Sequence, residues 1–457
     1  MVVDELFERF VDEAPACVMI RVALENVLSA RRLDEIFDRH AAVQYERELL
    51  FSRVVDLMTL VVTRVHPSAH AAYQRRRDEI PVSVRALYDK LGGIEPEVSQ
   101  ALVRETAADL KAVIGCLGTP RAAPLPGYRL RILDGNHLGA SQRRLKVLRG
   151  QGAALPGLTL CVLDPQRRLI EDVVSCEDGH RQECTLVEPL LEKAHPRDVF
   201  VTDRHFCTSG MLFGLARRQA FFLTRQHGNR PPVRLLGRRR RVGKTETGVV
   251  YEQAAVATDP QTGAELAVRR ITVELVRPTR DKETVIHLLT NLPAEDADAP
   301  RVAELYRTRW RIETAFQELT VHLHCELNAL AYPKAALFGF AVAVVCYNML
   351  AVVIAALAAA HGAETIATNL SNYYLTEEIG ATYRGLMIAL PPPCWVRFQS
   401  LDPPQLAVEL KRIAARTSLP RYQKHPRRSQ TRSSRKPYTG KRHVATARLL
   451  SKARQQQ

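Results

Sequence analysis

Residues 335–360 form an almost unbroken apolar stretch, interrupted only by Tyr347 and Asn348, and no fold is open to this chain that cannot bury it. The stretch exceeds the roughly 20 residues that cross a bilayer as a helix. It is rich in Ala, however, carries a polar pair at its middle, stands alone and has only weak flanking anchors. Insertion favours Leu and Ile far more than Ala, and a helix enclosed by a large soluble core has the same pattern. The expectation is a central core helix and no membrane partner. A chain of 457 residues supports such a core, at roughly 150 residues per domain. With 46% hydrophobic and 25% charged residues, the collagen-like, wholly disordered and disulfide-scaffold classes are excluded.

The chain is strongly basic, with 65 Lys and Arg against 49 Asp and Glu, a net charge of +16. That balance points to a polyanionic partner. The base lies in two places. Residues 411–454 hold fifteen Lys and Arg with no acid after Glu409, and residues 204–244 hold eleven, including the run Arg238, Arg239, Arg240 and Arg241, again without an acid. The remainder is net acidic. Nine scattered cysteines with no CxxC spacing fit reduced thiols in the cytosol. His322, His324 and Cys325 cluster without a second ligand pair, so no structural zinc is expected. The N-terminus is acidic and lacks a charged-then-apolar signal pattern, which predicts a cytoplasmic protein.

Apolar periodicity predicts helices through about residue 117, including a helix, Gly-Gly turn, helix unit over 83–105 that would place Ser99, Gln100 and Arg104 on DNA if it were a recognition motif. Two helices joined by a turn are equally common in any bundle. After the Pro/Ala/Gly-rich stretch 120–127 the period becomes alternating. Strands are predicted at 128–134, 158–163, 169–175, 199–203 and 221–224, with helices near 184–194 and 211–218. This is an α/β order whose first three strands form an antiparallel meander. Strands at 249–257 and 267–276, joined by the turn Asp259-Pro260-Gln261-Thr262-Gly263, suggest a β-rich insertion. A strand at 285–290 and a helix over 301–323 follow. The domain boundaries expected are 1–119, helical and a candidate for DNA binding; 125–225 with 283–365, the α/β core; 226–282, the insertion; 366–415, helical; and 416–457, a basic, largely disordered arm.

Phosphodiester chemistry is served by two hard divalent cations held by carboxylates. Asp134 is expected to end the first core strand, before Gly135, and Asp203 to end the apolar run 199–201. Each alone is also an ordinary turn or cap residue. On a helical wheel through 301–323, Tyr306, Arg309, Glu313 and Thr320 fall on a strip beside the apolar face of Ile312, Ala315, Phe316, Leu319 and Leu323. A solvated Arg-Glu face has the same spacing.

Tyr306, Arg309 and Glu313, with Trp310 between them, match the Tyr-Arg-Glu-Lys signature, and the chain resembles insertion-sequence transposases of the IS-four type within the DDE transposases. ILDG around Asp134, VTDRHF around Asp203, LLTNLP, CYNML, KHPRR and HVATARLL extend the likeness over most of the chain from Tyr128 to Leu450. The resemblance implies a ribonuclease-H-like mixed-sheet core with a β-rich insertion. Asp134, Asp203 and Glu313 would be catalytic and would hold two Mg²⁺ ions, with Mn²⁺ able to substitute. It also implies DNA phosphate contacts from Tyr306 and Arg309; a stacking role for Trp310, a hydrogen bond from Thr320 and phosphate contacts from the run Arg238, Arg239, Arg240 and Arg241 are further candidates read from the residues themselves. The reaction would be cleavage at the terminal inverted repeats of a mobile element and strand transfer into target DNA, by a homodimer acting on the bacterial nucleoid. Thr320 stands where the signature has Lys and supplies no positive charge; His322 or the arm would compensate. That departure keeps open a catalytically silent, domesticated DNA-binding derivative.

Overall fold

The computed structural model describes residues 2–43, 48–118, 123–139, 145–148, 153–228, 230–279, 282–321, 323, 325, 330–425 and 443–455. The chain opens with helices α1 (Val2–Glu13), α2 (Pro15–Val27), α3 (Ala30–His40), α4 (Phe51–Val62), α5 (Ala69–Arg75), α6 (Val84–Gly93) and α7 (Pro96–Cys116). Their starts carry local signals: Ser68 and Ser83 accept backbone N–H bonds as N-caps, and Pro96 opens α7, where no N–H is needed. There follow strands β1 (Arg129–His137), β2 (Ala153–Leu155), β3 (Leu158–Asp164) and β4 (Leu169–Cys176), helix α8 (Glu188–Glu192), β5 (Asp198–Thr202), α9 (Ser209–Arg217) and β6 (Phe221–Arg225). Next come β7 (Val233–Thr245), β8 (Gly248–Thr258), β9 (Glu265–Leu275) and β10 (Val285–Thr290), then α10 (Ala299–Arg307) and α11 (Trp310–Val321). The chain closes with α12 (Pro333–His361), α13 (Ala363–Asn369), α14 (Asn372–Ala389), α15 (Pro403–Ala415), β11 (His443–Ala445) and α16 (Thr446–Gln455).

The apolar stretch is α12, the one helix among the described residues long and apolar enough to cross a membrane, and 89% of its most apolar window is buried within the protein. It packs against α2, α4, α6, α7, α13, α15 and β4, with the Phe338 ring tilted against that of Phe51 at 5.8 Å between centroids. Asn348 explains the polar interruption. Its amide donates to the Ile170 carbonyl and accepts from the Ile170 N–H, both at 2.9 Å. Ile170 lies on β4, the edge strand, so the side chain supplies two of the bonds a neighbouring strand would make.

Among the described residues, nine strands form one sheet in the order β4-β3-β1-β5-β6-β10-β9-β8-β7. β1, β3 and β4 are the antiparallel meander, β5 runs parallel to β1, and β6 runs parallel to β5. β5 is buried along its whole length because both faces are covered. Val199 and Val201 face the core built around α7 and α12, whereas Phe200 faces a second core with Leu190 and Leu191 of α8 and Leu212 and Leu215 of α9.

Several local expectations change. β10 pairs antiparallel with both β6 and β9 and so carries the β-rich segment, β7–β9, onto the main sheet. The helix near 184–194 is a 3-10 turn, Glu183–Leu186, followed by the short α8. α7 does not present Ser99 and Arg104 outward: Ser99 is fully buried, and Arg104 and Lys111 pair with Asp172 and Glu171 of β4 at 3.6 and 2.6 Å. Of the basic arm, residues 426–442 lie outside the described residues. Its described ends include a 3-10 turn at Leu419–Tyr422, β11 paired with β2, and α16.

Candidate active site

The parallel register of β1 and β5 ends at Leu133 opposite Thr202, so the next residues, Asp134 and Asp203, stand side by side on neighbouring strands. Asp203 follows directly on the last residue of β5, at its carboxyl edge. Asp134 does not end β1, which runs on to His137 because β3 continues to pair with it through Leu158. Asp134 accepts the Gly135 N–H at 3.0 Å. Asp203 caps the turn Arg204–Phe206 by accepting the His205 N–H at 2.7 Å, while its own carbonyl accepts from Thr224 Oγ1 at 3.0 Å.

The predicted helix over 301–323 is broken. Thr308 and Arg309 form a turn held by i to i−3 bonds, with Arg309 N–H to Tyr306 O at 3.0 Å, so the single wheel that aligned Tyr306 with Glu313 does not exist. The break delivers the same residues by another route. Arg309, on the turn between α10 and α11, donates from Nη1 to Asp134 Oδ2 at 2.9 Å and from Nη2 to Glu313 Oε1 at 2.5 Å. One guanidinium therefore bridges two of the three acids. Tyr306 is half-buried beside Arg309, and burial pushes its phenol up to about 12, with Asp203 adding to the shift.

Trp310 is 62% exposed and not core packing; the Arg309 guanidinium lies 5.8 Å from its ring centroid. Thr320 lies two turns beyond Glu313 on α11, and its hydroxyl donates to the Phe316 carbonyl at 2.9 Å, so it is not held out for a phosphate. His322 and His324 lie outside the described residues. Arg238, Arg239, Arg240 and Arg241 lie on β7, six strands from β1 and roughly 29 Å along the sheet, so the structure does not bring them to the acids. They are exposed; Arg239 stacks on Tyr251 at 4.0 Å and pairs with Glu274 at 2.9 Å.

One further acid had no signal in the sequence. Glu183, on the 3-10 turn after β4, has its carboxylate against Gly135, where an added Cβ would overlap it. Burial raises the Glu183 carboxyl above its ordinary range, and Asp203 raises it further. Asp134 is pushed up to about 7, first by burial; Arg309 opposes the rise and Asp203 reinforces it. The only hint available beforehand was Gly135 itself, a residue whose missing side chain leaves room.

Among the described residues, no three or more His, Cys, Asp or Glu are gathered close enough to hold a metal ion. The donor chemistry nonetheless suits hard divalent cations. Asp134, Asp203 and Glu313 offer only carboxylate oxygens, and Asp134 and Glu313 already share one cation, the Arg309 guanidinium.

Residues 125–349 match the family described as the transposase DDE domain. That match supports a DDE transposase. A Sinorhizobium fredii protein named "Putative transposase y4zB" is 31% identical over 126 residues, covering 27% of this chain; the match spans 33% of that relative's length. A solved structure, the cryo-EM piggyBac transposase synaptic complex with hairpin DNA, aligns over 87% of this chain and 85% of its own at 12% identity, with a TM-score of 0.38. The DDE match takes in Asp134, Asp203, Tyr306, Arg309 and Glu313, together with Glu183 and the first part of α12. Helices α1–α7 and everything from α13 onward lie outside the DDE match.

Proposed function

We propose that the chain is an insertion-sequence transposase of the IS-four type that cleaves DNA at the ends of a mobile element and joins those ends to target DNA. The observations that support this reading are the placement of Asp134 beside Asp203 at adjacent strand positions and the Arg309 guanidinium that joins Asp134 to Glu313. The strand order β4-β3-β1-β5-β6, an antiparallel meander followed by two parallel strands, supports a ribonuclease-H-like core. Asp134, Asp203 and Glu313 would hold two Mg²⁺ ions, with Mn²⁺ able to substitute. Bound there, such ions activate a water or a 3′ hydroxyl and stabilise the leaving oxygen.

The chain's own residues do the rest. Arg309 fixes Asp134 and Glu313 relative to one another. Tyr306 keeps its phenolic proton at any working pH, because burial holds that group at about 12, and so serves as a hydrogen-bond donor to a phosphate beside the acids. Exposed Trp310 offers a stacking face at the same edge. The β7 arginines and the tail would grip DNA away from the chemistry, in a homodimer working on nucleoid DNA in the cytoplasm.

A catalytically silent DNA-binding derivative is the second reading, favoured by Thr320, whose hydroxyl is spent on Phe316 and which carries no charge. Purified protein incubated with Mg²⁺ and DNA carrying the element's ends separates the two. Nicking by the wild type but not by Asp203→Ala supports the transposase; binding without nicking supports the silent derivative. Equal nicking by both proteins removes Asp203 from the site.

A further inference from the structure

Three acids account for the family-like part of the site, yet a fourth lies against the strand positions that carry two of them. Glu183 is fixed by its turn: Leu186 is buried in the second core with Leu190 and Leu191, and Thr185 donates to the Gln182 carbonyl at 2.7 Å. That turn packs against the Arg204–Phe206 turn, the one Asp203 caps. Its carboxylate then lies against Gly135, the residue after Asp134, in space that any other residue at 135 would fill.

Among the described residues no Lys or Arg reaches Glu183. Its ion-pair partner is His137 Nδ1, at 3.6 Å, and its side chain is only 17% exposed. Asp203 likewise has no Lys or Arg within ion-pair distance among the described residues; only His205 stands near it, at 3.9 Å. Arg309 serves Asp134 and Glu313 and pairs with neither of the other two acids, which have imidazoles, those of His137 and His205, as their basic neighbours. Two half-enclosed carboxylates on touching turns, with no Lys or Arg beside them among the described residues, are costly unless something positive sits between them. The geometry points to Glu183 as a fourth carboxylate of the site, joining it beside Asp203 and against Gly135. This rests on the two-cation reading proposed above.

Mn²⁺ binding to the full chain, without DNA and followed by calorimetry and electron paramagnetic resonance, tests the assignment. Wild-type protein should bind Mn²⁺, Asp203→Asn should lose that binding, and Glu183→Gln should weaken it about 10-fold or more, with an altered resonance spectrum. Gly135→Ala leaves Glu183 in the chain but drives its carboxylate away, and should weaken Mn²⁺ similarly; it carries the test if Glu183→Gln fails to fold. Wild-type affinity and spectrum in both variants, with binding lost in Asp203→Asn, would overturn the role of Glu183 and leave the three-acid site standing. No Mn²⁺ binding by the wild type, or unaltered binding by Asp203→Asn, would overturn the cation reading itself.

Discussion

Asp134 is held under electrostatic tension by the fold. It is enclosed next to Asp203, and although Arg309 and the Gly135 N–H relieve it, burial pushes its carboxyl up to about 7 from the ordinary 3.8. A carboxyl whose neutral form the fold prefers leaves stability untouched below pH 4. The penalty grows as the pH rises, because the unfolded chain releases its proton first, and it is complete above about pH 7. Asp134→Asn keeps the shape and an oxygen for Arg309 while removing the charge. In metal-free protein it should therefore raise stability at pH 8 by about 1–3 kcal/mol and leave it unchanged near pH 4. Thermal unfolding of both proteins at the two pH values checks this; a variant no more stable at pH 8 would show that Asp134 is not strained. At this scale the sequence was informative where a residue had a positional signature. Asp134 beside a glycine and Asp203 after an apolar run were legible. Glu183 was not, because its partners stand 46 to 49 residues before it and 20 after it in the chain, and nothing in its own neighbourhood marks it.

Elements were legible wherever burial dictates pattern. The alternating strands and the long apolar helix follow from the faces they bury, and nine of the strands join in one sheet. The break between α10 and α11 was not legible, since Thr308 and Arg309 are compatible with a helix; tertiary structure overrides propensity there, as Arg309 reaches from the turn to Asp134. α12 shows how an apparent flaw in a pattern becomes structure. Asn348 is completely buried and pairs with both backbone groups of Ile170. Asn348→Leu suits the apolar surroundings but strands an N–H and a carbonyl in the core, at about 1–3 kcal/mol each. The expected outcome is a fall in stability of about 2–5 kcal/mol, read as a lower urea midpoint with an unchanged slope. Wild-type stability would mean that β4 finds other partners.

The charge of the whole molecule was read from the sequence as two blocks of base, and folding treats them differently. Arg412, Arg416 and Arg421 turn inward to Glu8, Asp12 and Glu13 at the other end of the chain, at 3.4 Å for Arg412–Glu8, 2.5 Å for Arg416–Asp12 and 3.7 Å for Arg421–Glu13. Pairing across 404 residues leaves no trace in local sequence, so that part of the block counted as free charge when it is internally matched. The β7 block behaves oppositely. Its register slips between Leu236 and Arg240 and again between Arg241 and Gly243, which disfavours strand addition at the sheet edge. Arg238, Arg240 and Arg241 are exposed there, without an ion-pair partner among the described residues. If DNA binding draws on free rather than total charge, replacing these three with Ala should flatten the dependence of log affinity on log salt by about 2 to 3, at roughly 0.9 for each phosphate no longer neutralised. Replacing Arg412, Arg416 and Arg421 should leave that slope unchanged and lower the unfolding temperature instead. The opposite pattern, a slope set by the second triple and not the first, would move the DNA surface from the sheet edge to the chain's C-terminal side.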